Sequence, residues 1–354
     1  MIQQKQSSSF WCSNQGKIKL MFFKYFTNLK TKTKKNELAF LQRRTPFYKP
    51  FLALLPSLTL LILFTVIPFF IALKFAFTSP VDIRIQNSDS FNFRAFENVW
   101  SDPVFLLGVR NSMLSSVITL PITFVIALII SSAIVHVYRK WARGFWQTVF
   151  FLPYVTNSIA ISIAFFYLFY SNGGIVNKIL GSQIQWLDNI EVGNYNAIAV
   201  IIIHRVWSGL AFNILILTVA MLGVDPTLYK VAAVDGASKW KQFFRITLPS
   251  ISRTSNFLIT VGIINGIKVF PLGLFQNRTD DAIRYQGTTI MIYIFDAVKA
   301  GRFGQAGAAS LSLFGLGIAL SVVMKQGLAL LIKAFGKWGE HRVYNKVKNS
   351  TVFK

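Results

Sequence analysis

The chain has 354 residues, with 37 Lys and Arg against 13 Asp and Glu, yet 53% of its residues are hydrophobic and only 14% are charged. Soluble chains average roughly 25% charged residues, so a two-domain soluble protein of this length is excluded, and a single Cys excludes a disulfide scaffold or a Cys-rich metal site. The net charge of +24 points toward nucleic acid only until the positions of the charges are read.

Residues 1–49 form a basic tail with 11 Lys and Arg and one acid, Glu37, and with no apolar core of signal-peptide length. Six apolar windows follow: Phe51–Leu73, Met113–Val135, Gln147–Tyr170, Ala197–Val219, Phe257–Phe275 and Ala306–Met324. A bilayer core of ~30 Å takes about 20 helical residues, and each window is about that long. None contains Asp or Glu. Their apolarity is continuous rather than alternating, which predicts helices instead of barrel strands. Pro56, Pro68, Pro121, Pro153 and Pro271 fall inside them, as membrane helices tolerate. The sixth pairs small residues at four-residue spacing, Ala308 with Ser312 and Gly317 with Ser321, a pattern for close helix approach. The expected fold is therefore an all-α membrane protein of six transmembrane helices over 50–333. Basic tails over 1–49 and 334–354 flank it.

With the N-terminus inside, the cytoplasmic segments hold 26 basic and 4 acidic residues, and the outer loops hold 8 basic and 9 acidic. Lys74, Arg205 and Lys268 lie in or at the edges of the spans. This is the positive-inside asymmetry, which predicts a multi-pass protein of the cell membrane with both termini in the cytoplasm. It leaves the charge needing no nucleic acid, and the tails suit anionic membrane lipids.

The loop between spans four and five, about 223–252, has internal structure in its sequence. Asp225 can cap a helix that starts at Pro226, and Gly236 is a natural stop. Ser238 can cap a second helix from Lys239 to about Thr247, ended near Pro249. Small Ala232 and Ala233 permit close docking, and Trp240, Phe243 and Phe244 are expected to anchor the second helix against the membrane helices.

That loop resembles the cytoplasmic signature of the permease subunits of binding-protein-dependent ABC importers: Glu-Ala-Ala, three residues, Gly, nine residues, Ile-x-Leu-Pro. Ala232, Gly236, Ile246, Leu248 and Pro249 stand in those places. The stretches Phe93–Phe105, Phe151–Tyr154 and Gly174–Asn177 are similar to the carbohydrate-uptake branch, the maltose- and glycerol-phosphate-type permeases. So are Leu228-Tyr229, Asp235-Gly236-Ala237, Lys268-Val269-Phe270 and Tyr293–Phe295, together with Trp207, Gly209 and Asn213. The pattern looks more like the first than the second of the paired permeases. The resemblance implies a type I importer permease fold. Its implied partners are a second permease, two ABC ATPase subunits and an extracytoplasmic solute-binding protein. ATP and Mg would be bound by the ATPases and no cofactor by this chain, which has no Gly-x4-Gly-Lys-Ser/Thr loop. Two places depart from the family. Lys230 and Val231 replace the signature's Glu and first Ala, so that the charged contact with the ATPase falls to Asp235 or to an altered partner surface, or else the coupling is weakened. Gln276–Asp281 replaces a Gly-Gly-Pro stretch after span five.

A substrate path is expected where polar groups interrupt the spans. Asn157 and Asn265 lie near the span centres, and Arg205, Gly209 and Asn213 fall at i, i+4 and i+8 on one helical stripe with Ser208 and Phe212 beside them; Trp207 in the same span is a further candidate. Arg205 and Lys268 have no carboxylate in any span, so water, a partner permease, backbone carbonyls or an anionic solute must compensate them. The expected function is ATP-driven import of a sugar or glycerol-phosphate-like solute by alternating access. The alternatives are a permease for another small solute, a secondary transporter and a polytopic membrane transferase.

Overall fold

The computed structural model describes residues 48–78 and 91–348, with no side chains described for Lys49 or beyond residue 327. The basic tail expected over 1–49 lies outside the described residues as far as residue 47. All regular structure among the described residues is helical.

The residues up to Pro68 and those from Phe69 onward form two separate compact units. In the first, an apolar helix runs Tyr48–Leu61 and continues as a π turn, Ile62–Val66. It begins the first long helix, α1 (Pro50–Phe77). Ser57 and Thr59 donate their hydroxyl protons to the carbonyls of Leu54 and Leu55 at 2.8 and 2.9 Å, which satisfies both polar groups within the helix itself.

The second unit continues with α2 (Arg94–Ser101) and α3 (Pro103–Val135). Asp102 caps α3 by accepting from the Val104 amide at 2.9 Å, with Pro103 in the first helical position where its missing N–H costs nothing. Its other carboxylate oxygen accepts from Tyr293 Oη at 2.9 Å and ties this end of α3 to α12 (Ile290–Lys299). Along α3, Ser115, Thr119, Thr123, Ala127 and Ser131 are all buried at four-residue spacing. A stripe of small side chains lets backbones come close, and α7 (Asn196–Leu222) and α10 (Ser252–Ile267) pack along it.

The third span differs from the straight helix expected over Gln147–Tyr170. It is two helices, α4 (Lys140–Val155) and α5 (Ser158–Leu168), bent by 92°. Pro153 withdraws an N–H from the ladder, and Asn157 restarts the chain by accepting from the Ile159 amide at 2.8 Å. At 1.5 Å per residue α5 is about 16 Å long, too short to cross a bilayer alone. Among the described residues, five helices are long and apolar enough to span a membrane, six with the bent pair counted as one.

After α6 (Ile175–Leu180) and α7, the loop helices α8 (Pro226–Val234) and α9 (Lys239–Gln242) lead into α10. A 3-10 turn, Leu272–Phe275, follows α10, and α11 (Thr279–Arg284) precedes α12. The last helix, α13 (Phe303–Lys348), contains the sixth window and runs without a break into the tail expected from 334. Gly307 lies against the first helix within the second unit: a Cβ there would come within 2.6 Å of the Ala72 carbonyl oxygen and 3.0 Å of the Ala76 nitrogen. Both neighbours are backbone and cannot swing away. Gly307→Ala is expected to destabilise the protein by about 1–3 kcal/mol, read as a lower thermal midpoint in detergent. Gly315→Ala, with open space around it, is the neutral control.

Candidate functional site

The site grows from a break in the fifth span. Pro271 has no N–H for the carbonyl four residues back, and it pushes the preceding residue out of the helical region. α10 stops at Ile267, and its last-turn carbonyls are left without intrahelical partners. One of them, on Asn265, accepts from Arg205 Nη2 of α7 at 2.9 Å. Lys268 is the residue that closes the same helix. A helix C-terminus carries partial negative charge, so it is a favourable place for cations. Of the compensations open to Arg205 in the sequence, the structure supplies a backbone carbonyl.

Around this helix end lies a cavity of about 470 Å³. Arg205, Gly209 and Asn213 from α7 line it together with Asn265 and Lys268. Two other residues of the expected path stand outside the lining: Asn157 caps α5, and Trp207 packs its ring 5.6 Å from Phe165. His204, next to Arg205, meets Ser162 Oγ through Nε2 at 3.2 Å and packs edge-on against Phe165.

Sequence reasoning missed the opposite wall. Ser116, Thr119 and Thr123 of α3 line the cavity, and their hydroxyl oxygens are buried without a protein partner, as is Arg205 Nε. Their signal was the three- and four-residue spacing of small hydroxyl side chains in the second window. Ser158 of α5 adds another hydroxyl, and Tyr154 stacks on Phe212 with centroids 5.9 Å apart. Asn213 donates Nδ2 to the Gly209 carbonyl at 2.7 Å. Close helix packing sets the wall: a Cβ on Gly266 would meet Ser116 Oγ at 2.3 Å, and one on Gly209 would meet Thr123 Cγ2 at 3.3 Å. Among the described residues no carboxylate lines the cavity. The result is a chamber of hydroxyls, amides and two cations, suited to hydrogen-bonding a polar solute.

The loop is a second set of residues. Asp225 accepts from the Thr227 amide at 2.8 Å and from the Thr227 hydroxyl, which hold its carboxyl below the ordinary range. Gly236 takes φ +72°, and the Ala237 amide donates back to the Ala232 carbonyl at 2.9 Å, closing α8 with a left-handed cap. Ser238 accepts from the Lys241 amide and starts α9, which passes through a π turn, Phe243–Thr247, and a short helix, Leu248–Ser250. Tyr229 and Thr247 share a hydroxyl hydrogen bond of 2.8 Å that joins the two arms. Lys230, Ala233, Asp235, Gly236 and Pro249 are exposed, and Ala232, Ile246 and Leu248 are half-buried. The three aromatic residues divide. Phe243 packs on the core around Ile214, Leu217 and Ile251, whereas Trp240 and Phe244 are exposed and do not anchor to the membrane helices as expected. At the opposite end, within the Gln276–Asp281 stretch, Gln276 and Asn277 hold φ of 52° and 61°, left-handed values that glycine adopts most readily.

Residues 124–325 match the family described as binding-protein-dependent transport system inner membrane component. The chain is 47% identical over 325 residues to a probable ABC transporter permease protein of Mycoplasma pneumoniae, covering 92% of this chain and 99% of that one. It is 26% identical over 221 residues to the lactose transport system permease protein of Rhizobium radiobacter, covering 61% and 71%. It is 25% identical over 284 residues to the sn-glycerol-3-phosphate transport system permease protein of Pectobacterium atrosepticum, covering 77% and 92%. Among solved structures, it resembles a chain of a bacterial ABC transporter involved in the import of the acidic polysaccharide alginate. The TM-score is 0.61 at 22% identity, covering 84% of this chain and 97% of that one. That likeness is one of fold.

Two outcomes follow from this geometry. Arg205→Gln is expected to lower the thermal midpoint, by roughly 1 kcal/mol of stability. Asn265→Ala should keep that interaction, because the acceptor is backbone. Equal losses in both variants would sink the capping role. For Asp225, the depressed carboxyl means that its hold on Thr227 is complete above the ordinary carboxylate value of 3.8 and is lost as pH falls through the lower folded value. Hydrogen-exchange protection of the Thr227 amide should therefore stay constant from neutral pH to about pH 4 and fall below it. In Asp225→Ala it should be reduced at neutral pH and no longer fall on acidification, since the titrating group is gone.

Proposed function

This chain belongs to the family of binding-protein-dependent transport system inner membrane components, and from that premise we propose that it is one of two permease subunits of an ATP-driven importer for a sugar or a glycerol-phosphate-like solute. The observation that carries the reading is the cavity at the broken end of α10, lined by the partly or fully exposed polar residues Ser158, Ser208, Asn213 and Asn265 and by two cations, with no carboxylate among the described residues of its wall. Ser158, Ser208 and Asn213 suit a polyhydroxylated solute, since each can donate or accept. Arg205 and Lys268 suit its phosphate-bearing form, because an anion would relieve two charges held in a low-dielectric wall. The relatives named for lactose and for sn-glycerol-3-phosphate bracket the same range of solutes.

In this reading the basic segments put both termini and the α8–α9 loop in the cytoplasm. The loop docks into the ATPase subunits, which bind ATP and Mg. Closure of the ATPase dimer moves the loop and rocks the spans between outward and inward access, and a solute-binding protein delivers cargo at the opposite face. Lys230 and Asp235 are exposed charges on the α8 arm, so the ATPase facing Lys230 carries a complementary acid.

Purification in mild detergent is expected to retain a second permease and an ATPase; a chain that purifies alone and fully folded contradicts the assignment. Reconstituted complex should take up labelled sugar or glycerol phosphate, and inactivating the ATPase should abolish it. Lys268→Gln separates the solutes without touching the Arg205 hydrogen bond. If glycerol phosphate is the cargo, its uptake should fall about tenfold or more, the scale of losing one charge-assisted contact. If neutral sugar is carried equally by both proteins and no phosphate ester is carried by either, the anionic form of the reading is discarded.

A further inference from the structure

Two segments with one pattern lie at the face that carries the α8–α9 loop. Lys140-Trp141-Ala142-Arg143-Gly144-Phe145 and Lys239-Trp240-Lys241-Gln242-Phe243-Phe244 both read Lys-Trp, three residues, Phe. Each opens a helix that enters a span, α4 into the bent third and α9 into the fifth. Trp and Phe four residues apart share a helix face, and in both segments the rings stack. Trp141 lies 5.8 Å from Phe145 at 17°, and Trp240 lies 6.3 Å from Phe244 at 18°. Both stacks point away from the protein: Trp141 is 79% exposed and Trp240 76%. Lys140, Lys239, Lys241 and Arg245 are exposed beside them, and neither segment contains an acid. Arg143 and Lys239 line one cavity, which puts the two segments side by side.

We propose that the paired stacks are an interfacial membrane anchor, with the rings in the headgroup layer and the flanking cations on anionic lipid headgroups. Rings this exposed cost free energy in water, and Trp beside Lys is the composition that suits the membrane–water boundary. The charges are of one sign, complementary to an anionic leaflet. Position selects lipid over an ATPase surface. The α8 arm, with exposed Val231 and Val234, comes before the reversal at Gly236, whereas Trp240 and Phe244 come after it, on the arm that returns to the span. Trp141 and Phe145 stand on α4, which runs on directly into its own span. Which leaflet is contacted rests on the topology proposed above; contact with lipid does not.

The test places a nitroxide at Trp141→Cys, Trp240→Cys or Val192→Cys, each in a Cys12→Ser background, in the transport complex held in phosphatidylcholine nanodiscs with or without phosphatidylglycerol. Oxygen concentrates in lipid and a nickel chelate in water, so their collision ratio reports depth. Positions 141 and 240 should favour oxygen and the exposed loop residue 192 should favour nickel. Phosphatidylglycerol should shift 240 further toward oxygen, and the triple variant Lys239→Gln, Lys241→Gln, Arg245→Gln should lose that shift. A nickel-favouring ratio at 141 and 240, or shielding of both from both reagents as a protein partner would give, overturns the proposal. Absence of a phosphatidylglycerol effect overturns its anionic-lipid part. Labelling of Val192→Cys by an impermeant maleimide in whole cells reads the topology separately. If 192 proves cytoplasmic, the orientation fails while the depth readings still judge the anchor.

Discussion

One carbonyl group sets most of what this protein can do. A helix that ends within a bilayer leaves acceptors that lipid cannot satisfy, and the fifth span ends at Ile267 with Pro271 four residues on. Arg205 answers the Asn265 carbonyl at 2.9 Å. Each solves the other's problem: an expensive cation finds a partner, and an orphaned acceptor finds a donor. Because the guanidinium must reach across from α7 to α10, the bond also fixes where those helices stand, and the chamber exists between them and α3.

The packing around that bond follows from side-chain size. α3 offers hydroxyls and alanine where α7 and α10 offer glycine, so backbones approach until a Cβ on Gly266 or Gly209 would press on Ser116 or Thr123. Small side chains cannot fill the space that a broken helix opens, and what remains is hollow and polar. The same choice that allows close packing leaves four hydroxyls of α3, on Ser115, Ser116, Thr119 and Thr123, without protein partners.

Much of this was legible in the sequence because the membrane simplifies the code. Continuous apolarity located the spans, and local capping chemistry at Asp225, Gly236 and Ser238 located the loop helices, since both depend on residues close in sequence. What escaped depends on direction and on distant partners. Apolarity from Gln147 to Tyr170 is unbroken, so nothing in it records a 92° change of course; Asn157 read as a polar group in a span and is a helix cap. Arg205 stood out as a charge in need of a partner, but the partner is backbone, which no side-chain pattern names. Trp240 and Phe244 read as core aromatics because helical spacing alone does not distinguish protein from lipid as the apolar surroundings.

The hydroxyl bond between Tyr229 and Thr247 has a mechanical side. From Ser238 to Ile267 the backbone is helix with one bend, at Ile251. Tyr229 fastens α8 to this shaft near its base, so the two arms of the loop are tied by a side-chain bond as well as by the chain at Gly236. The far end of the shaft is the turn whose carbonyl holds Arg205. One continuous stretch of chain, bent once, thus joins the loop to the chamber wall.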